Sequence, residues 1–159
     1  MATYIAESSG YLAAAAAVTW TSGGPNSLAA NTYSGLSDEI DNSTTKYMYV
    51  DLYLELGSAA FSGASSGIEI YLVPSVTGTS YPKWTGGVST DETENIPHYV
   101  GFMATSASTT TQEMVLLFVK LPPGKYKWAI RNRGGTGVAL AASGNTLYWR
   151  PHSYISTDA

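Results

Sequence analysis

The residues that could do chemistry in this 159-residue chain are few and poorly spaced for catalysis. Only two histidines, His98 and His152, could act as a general base, and none of the serines stands in a Gly-x-Ser-x-Gly elbow. The chain has no cysteine, which removes disulfides and thiolate metal sites. The sequence therefore predicts neither a catalytic triad nor an enzyme.

Acidic side chains offer two further kinds of site. The acids at residues 91–95 stand close to His98, but a calcium loop needs oxygen ligands at regular offsets around a glycine turn, which this run lacks. Asp51, Glu55 and Glu69 could supply paired carboxylates for glycoside cleavage, which would depend on their separation in space. We interpret these acids as solvated surface charges, and we predict no metal and no cofactor.

The elements that would position any site are β-strands. A hydrophobic content of 44%, only 13% charged residues and 16 glycines are typical of a globular chain rich in turns. Short apolar segments between Gly, Pro, Asn and Ser turns predict eight strands, at residues 27–36, 46–56, 67–73, 98–103, 112–120, 125–131, 137–142 and 146–152. Such strands with unequal connections favour an all-β fold, an antiparallel jelly-roll sandwich.

The N-terminal residues look different from the rest of the chain. The apolar run at residues 12–18 is mostly alanine and is far shorter than the roughly 20 residues that span a bilayer. We expect residues 1–25 to form an N-terminal arm and residues 26–159 to form the jelly-roll β-sandwich domain. Neither a targeting segment nor a membrane partner is predicted.

Two predicted strands carry apolar or aromatic residues on both faces. In strand 46–56, aliphatic residues at even positions from Met48 to Leu56 alternate with three tyrosines, which suit either a protein interface or ordinary cross-strand packing. The run 114–119 is apolar throughout, so a second subunit or an arm must cover its outer side. We predict a subunit interface that contains Tyr47, Tyr49, Tyr53, Leu116 and Phe118.

Charge is distributed unevenly along the chain. Residues 1–119 hold two bases and eleven acids, and residues 120–159 hold six bases and one acid, which gives −9 and +5 for a net charge of −4. Either neighbouring strands from the two parts pair their charges, for instance Glu69 with Arg131, or a basic face meets an acidic partner. Without a basic cluster interleaved with aromatics, nucleic acid is not a predicted partner.

A possible sugar platform lies in the longest predicted loop, residues 74–97. Tyr81 and Trp84 flank Pro82 and Lys83 there, and their rings are the candidate glycan contacts. The alternative is that Trp84 folds back onto the sandwich as a plug, which is commoner for a large aromatic residue.

The turn signals, taken in order, resemble those of a known family. Residues 68–75 read IEIYLVPS, and they are followed by GTSYP at 78–82, LPPGKYK at 121–127 and GVALAASGNTL at 137–147. Over residues 20–154 this pattern is similar to small structural proteins of tailed bacteriophages. These are the jelly-roll decoration, or cement, proteins that sit as trimers on the outside of phage heads.

This resemblance implies a non-enzymatic protein of the virion, made in the host cytoplasm and bound to the capsid exterior. Its partners would be the major capsid protein, whose subunits it bridges, and further copies of itself in a homotrimer. We expect either the arm or the basic C-terminal face to contact the capsid, and the candidate residues are Tyr4, Tyr11, Trp20, Lys125, Lys127 and Arg131. The alternative function is a receptor- or carbohydrate-binding β-sandwich of a phage tail or fibre.

Overall fold

The protein is an all-β sandwich of two four-stranded antiparallel sheets. Its computed structural model describes residues 3–5, 15–58, 61, 66–84, 86, 99–107, 109–134, 137–153 and 155–157. The strands are β1 (Thr3–Ile5), β2 (Ala16–Ala17), β3 (Ile40–Asp41), β4 (Tyr49–Leu56), β5 (Gly67–Pro74), β6 (Tyr99–Ala104), β7 (Gln112–Lys120), β8 (Lys125–Asn132), β9 (Thr146–His152) and β10 (Ile155–Thr157). Within those ranges no helix is long and apolar enough to cross a membrane.

The strand order confirms the predicted jelly roll. Sheet 1 has the order β2-β9-β4-β7, and sheet 2 has the order β3-β8-β5-β6. The antiparallel pairs β2–β9, β3–β8, β4–β7 and β5–β6 are nested, so the chain follows one long hairpin that is wrapped into two sheets. The terminal strands β1 and β10 pair with each other in a separate two-stranded sheet.

The core lies between the two sheets because apolar side chains alternate along the strands. On β4, Leu52, Leu54 and Leu56 are fully buried, as the period-two pattern predicts, and they belong to one cluster with Trp128 of β8. Met48, predicted on the same face, is half exposed because it precedes the strand at the end of the sandwich. The face assignment is therefore confirmed for the strand itself and wrong for Met48.

The predicted strand at residues 27–36 is wrong in detail. This segment makes only an isolated bridge, between Tyr33 and Arg131, and then continues irregularly along β8. Ser34 and Ser37 replace strand pairing here: each donates its backbone N–H to a β8 carbonyl, and each hydroxyl accepts a β8 backbone N–H at 3.0 and 2.8 Å. Serine hydroxyls compete with sheet pairing in this way because they can accept backbone hydrogen bonds.

Two further boundaries differ from the sequence prediction. Residues 137–142 form no strand, and their backbone is held by Leu28, whose carbonyl accepts the Leu140 N–H at 2.9 Å. Residues 16–25, assigned to the arm, lie within the sandwich: β2 pairs with β9, and Val18 is buried in the core. The acidic run at 91–95 and His98 lie outside the described residues.

Candidate interaction surface

The outer face of sheet 1 carries aromatic side chains in direct cross-strand pairs. Tyr53 of β4 lies opposite Tyr148 of β9, with ring centroids 5.7 Å apart, and Tyr49 lies opposite His152, with the rings stacked at 5.8 Å. Strand alternation places these side chains on the face opposite the leucines of the core. The predicted interface residues Tyr49 and Tyr53 therefore stand on one surface, although both are half-buried by their neighbours.

A buried carboxylate lies between these aromatic pairs. Asp51 is 6% exposed, and its oxygens lie 3.3 Å from Arg150 Nη2 and 3.2 Å from His152 Nε2. Burial alone would raise the pKa of Asp51, but the Phe118 backbone N–H at 3.0 Å, Arg150 and His152 outweigh it and hold that pKa below its ordinary value. His152 is only 3% exposed, so a substrate cannot reach its ring, and we interpret these contacts as structural.

A β-bulge on the neighbouring strand depends on this carboxylate. The β4–β7 register shifts between Val50 and Leu52, so that Leu117 and Phe118 together face Asp51. Phe118 has a φ of 56°, a left-handed conformation that costs a bulky residue roughly 1–2 kcal/mol. Asp51 supports this backbone by accepting the Phe118 N–H. The bulge turns the two consecutive side chains of Leu117 and Phe118 outward.

Three apolar residues of β7 consequently form an exposed surface, which we call the β7 face: Val115, Leu117 and Phe118. Their exposed fractions are 57%, 54% and 49%. Val115 and Leu117 border a shallow depression of about 270 Å³ on sheet 1, lined also by Tyr53, Tyr148 and Arg150. Because β7 is the last strand of its sheet, this surface lies at an edge of the sandwich.

A second apolar surface lies on the other side of the same edge. Tyr99 and Phe102 of β6, which we call the β6 face, are 57% and 39% exposed on the outer side of sheet 2. β6 is the last strand of that sheet and contacts β7 across the core, where Leu116 packs against Gly101. Among the described residues, seven large hydrophobic side chains are exposed, and five of them belong to these two faces.

Two predicted interface residues lie elsewhere. Leu116 is half-buried against the core, because alternation along β7 points it inward between Val115 and Leu117. Tyr47 precedes β4 and also packs on the core cluster, and its backbone N–H donates to Asn42. Leu116 and Tyr47 therefore lie away from the exposed surface of sheet 1, to which Val115 and Leu117 belong.

Away from the β6 face, the outer side of sheet 2 is covered by its own chain around Tyr33 and Tyr71. Tyr33, from the irregular segment after β2, is fully buried against Tyr71 of β5, and the ring centroids lie 5.7 Å apart. Trp84 packs edge-on against Tyr33 at 5.7 Å and donates its indole N–H to the Ser34 carbonyl at 2.6 Å. Trp84 is therefore half-buried against its own chain, as the plug interpretation predicts, and it does not stand out as a platform.

Tyr81, the second candidate glycan contact, is also held by its own chain. Its hydroxyl donates to Glu39 at 2.7 Å, and Lys127 Nζ lies 4.9 Å from the centre of its ring. Burial and this carboxylate raise the pKa of the Tyr81 hydroxyl. Because Glu39 binds the hydroxyl and Lys127 lies over the ring, Tyr81 offers little surface on which a sugar could stack.

The basic residues predicted to contact the capsid are paired locally. Lys125 Nζ lies 2.7 Å from Glu39 and 3.9 Å from Asp41, and Arg131 lies 3.5 Å from Glu69, its direct neighbour across β5–β8. The Glu39 contact raises the pKa of Lys125. The charge asymmetry of the sequence is thus resolved by strand neighbours, and Lys125 and Arg131 do not form a free basic face.

The remaining predicted capsid contacts come from the N-terminal residues. Trp20 is half-buried and donates its indole N–H to the Gly35 carbonyl at 3.2 Å, so it belongs to the sandwich. Tyr4 lies on β1, opposite Ser156 of β10. Tyr11 lies outside the described residues. Within the described ranges, no three His, Asp or Glu side chains are close enough to hold a metal ion.

Four residues of these two surfaces were not predicted, and two of them carry a readable signal. Tyr148 and Arg150 alternate with Leu147 and Trp149 on β9, so the period-two pattern would have placed them outward with Tyr53. Period two would place Tyr99 and Phe102 on opposite faces, and a β-bulge in the β5–β6 pair turns both of them outward. No family model, curated protein or solved structure matches this chain.

Proposed function

We propose that this chain is a non-enzymatic structural protein of a phage virion, which decorates the capsid exterior as a trimer that bridges major capsid protein subunits. The observation that carries the proposal is the concentration of exposed apolar residues on the two edge strands β6 and β7. Contiguous exposed apolar surface with a polar surround is typical of protein interaction sites. The sequence resemblance to jelly-roll decoration proteins supplies the capsid as partner.

The supporting structure behind this surface suits a rigid adhesive module. Its buried polar groups bind each other: Asp51 holds Arg150, His152 and the Phe118 backbone. The strain at Phe118 is maintained by a buried carboxylate, which is the pattern expected where a backbone outlier serves a functional surface. A protein that binds only the assembled shell stabilises it by mass action, without any catalytic group.

Of the two predicted capsid contacts, this proposal keeps the N-terminal part of the arm, residues 1–14, and drops the basic C-terminal face. Lys125 and Arg131 are paired with acids, and Trp20 is held inside the sandwich. The segment 1–14 precedes β2, the first strand of sheet 1, so it can be removed without deleting a sandwich strand. In the part of the chain that the structure describes, its strand β1 pairs with the terminal strand β10 and with neither sheet of the sandwich.

The proposal is tested by co-sedimentation of the purified protein with matching heads that lack it. We expect saturable binding by a trimer, and loss of binding when residues 1–14 are deleted. The deletion variant should keep the wild-type circular dichroism spectrum and oligomeric mass. Full binding by the deletion variant would place the capsid contact elsewhere, and no binding by the wild type would remove the capsid as partner.

A further inference from the structure

We infer that the β7 face and the β6 face are the two halves of one head-to-tail contact, in which the β7 face of each copy packs on the β6 face of the next. This inference rests on the proposed trimer and specifies its interface. The β7 face belongs to the outer side of sheet 1, and the β6 face belongs to the outer side of sheet 2. They therefore meet at one edge of the sandwich while facing opposite directions.

The opposite orientation of the two faces excludes a two-fold dimer that buries both of them, and it fits head-to-tail contacts. A two-fold dimer is isologous, so it would pack one face on the same face of a second copy and leave the other face exposed. A closed ring of head-to-tail contacts covers both faces in every copy, because each copy supplies one face to each neighbour. Such a ring forms when each copy points its β6–β7 edge toward the ring axis, as a wedge does.

The two faces are also complementary in chemistry. The β7 face is mainly aliphatic, with Val115 and Leu117, whereas the β6 face consists of the aromatic rings of Tyr99 and Phe102. Aromatic rings packed on aliphatic side chains are typical of the dry centre of a protein interface. Phe118 adds one further ring beside the aliphatic pair.

Charges next to the two faces support the same arrangement. Glu55 and Glu113 lie directly opposite each other across β4–β7, and like charges in that position are unfavourable within one copy. At the same end of the sandwich, the outer side of sheet 2 carries Arg133, which lies 3.6 Å from Glu69 and has a side chain that is 44% exposed. In a ring whose axis runs along the strands, the acid pair of one copy is level with Arg133 of the next.

The test uses two acidic variants, Leu117→Asp on the β7 face and Phe102→Asp on the β6 face. Val76→Asp is the matched control, since Val76 is 72% exposed and belongs to neither face. Each face variant alone should be monomeric, with self-association weakened by at least about 100-fold, and the control should stay trimeric. An equimolar mixture of the two face variants should form a heterodimer, because one intact contact remains and the ring cannot close.

The possible outcomes separate this inference from the proposed function. If Phe102→Asp self-associates like the wild type, or if the mixture stays monomeric, the head-to-tail contact is wrong even where the wild type is a trimer that binds heads. A wild type that is monomeric overturns the proposed trimer itself. Where an acidic variant fails to match the thermal unfolding of the control, Leu117→Ser and Phe102→Ser test the same contact.

Engineered disulfides provide a second, independent test, since the chain has no cysteine. In the double variant with Phe102→Cys and Leu117→Cys, oxidation should give covalent dimers and trimers. Each single-cysteine variant should stay uncross-linked, because its thiol meets no second thiol in the ring. Efficient cross-linking of Leu117→Cys alone would instead show the β7 face packed on itself and would overturn the inference.

Discussion

The two sheets of the sandwich differ in what covers their outer faces. On sheet 2, away from the β6 face, Tyr33 from the irregular segment 31–37 covers Tyr71, and Trp84 packs on both rings. On sheet 1, Tyr53 and Tyr148 form a ring pair with the same 5.7 Å centroid separation, but both remain half-buried beside the exposed β7 face. Similar aromatic pairs thus occur in two settings, one sealed by the chain itself and one open to another protein.

This difference shows why tyrosine content alone does not locate an interface. A tyrosine pair on a strand stabilises the sheet whether or not a partner covers it. What distinguishes sheet 1 is the aliphatic surface beside the pair and the strained bulge that turns Leu117 and Phe118 outward together. A substitution on the covered face, around Tyr33, should therefore differ in its effect from a matched substitution on the open face, around Tyr53.

The largest expected effect is on the covered face, from Tyr33→Ala. Tyr33 is fully buried, so removal of its ring should lower the free energy of unfolding by about 3–5 kcal/mol. Tyr53→Ala is the matched change on the open face and should cost only about 1 kcal/mol. Both are measured by urea unfolding in a Leu117→Asp background, so that association does not contribute. Equal losses would contradict the distinction between the two faces.

The next effect concerns the carboxylate beneath the open face. Asp51→Asn removes the charge that Arg150 and His152 contact, and it should cost about 2 kcal/mol at neutral pH. The pKa of Asp51 is lower in the folded protein than in the unfolded chain. The stability that the ionised carboxylate contributes is therefore fully present above about pH 4, and it is lost as the pH falls through the folded-state pKa.

Urea unfolding at neutral and at acidic pH checks this prediction. The difference between wild type and Asp51→Asn should shrink as the pH falls below about 4, because the wild-type carboxylate is then protonated as well. Glu55→Gln is the control, an acid on the same face with more exposure, and it should cost less than about 0.5 kcal/mol. A difference that is unchanged at acidic pH would show that the Asp51 charge is not the cause.

The smallest effect tests the bulge itself. Phe118→Gly relieves the left-handed backbone but removes an exposed ring, so the unfolding free energy of the monomer should change by less than about 1 kcal/mol. Self-association should nevertheless weaken. Phe102→Gly is the control, because it removes a similarly exposed ring where no positive φ is relieved, and it should destabilise the monomer more. A loss above about 3 kcal/mol for Phe118→Gly would make Phe118 a core residue.

Much of the fold follows from the sequence, because period-two alternation and turn residues are local signals. These signals predict six of the sandwich strands and the core face of β4. They predict a strand wrongly where serine hydroxyls replace backbone pairing, as at Ser34 and Ser37. The bulge carries no signal, since phenylalanine is a poor choice for a positive φ. Whether a tyrosine face is covered depends on distant segments such as Trp84, which no local pattern reveals.

The central claim is that the open edge of the sandwich is buried by further copies of the chain. It is tested most directly by light scattering of the purified wild type over a dilution series, with Leu117→Asp measured alongside. The account predicts a wild-type mass three times that of the 16.8 kDa chain and the mass of a single chain for Leu117→Asp. A wild type with the mass of one chain at every concentration would contradict it.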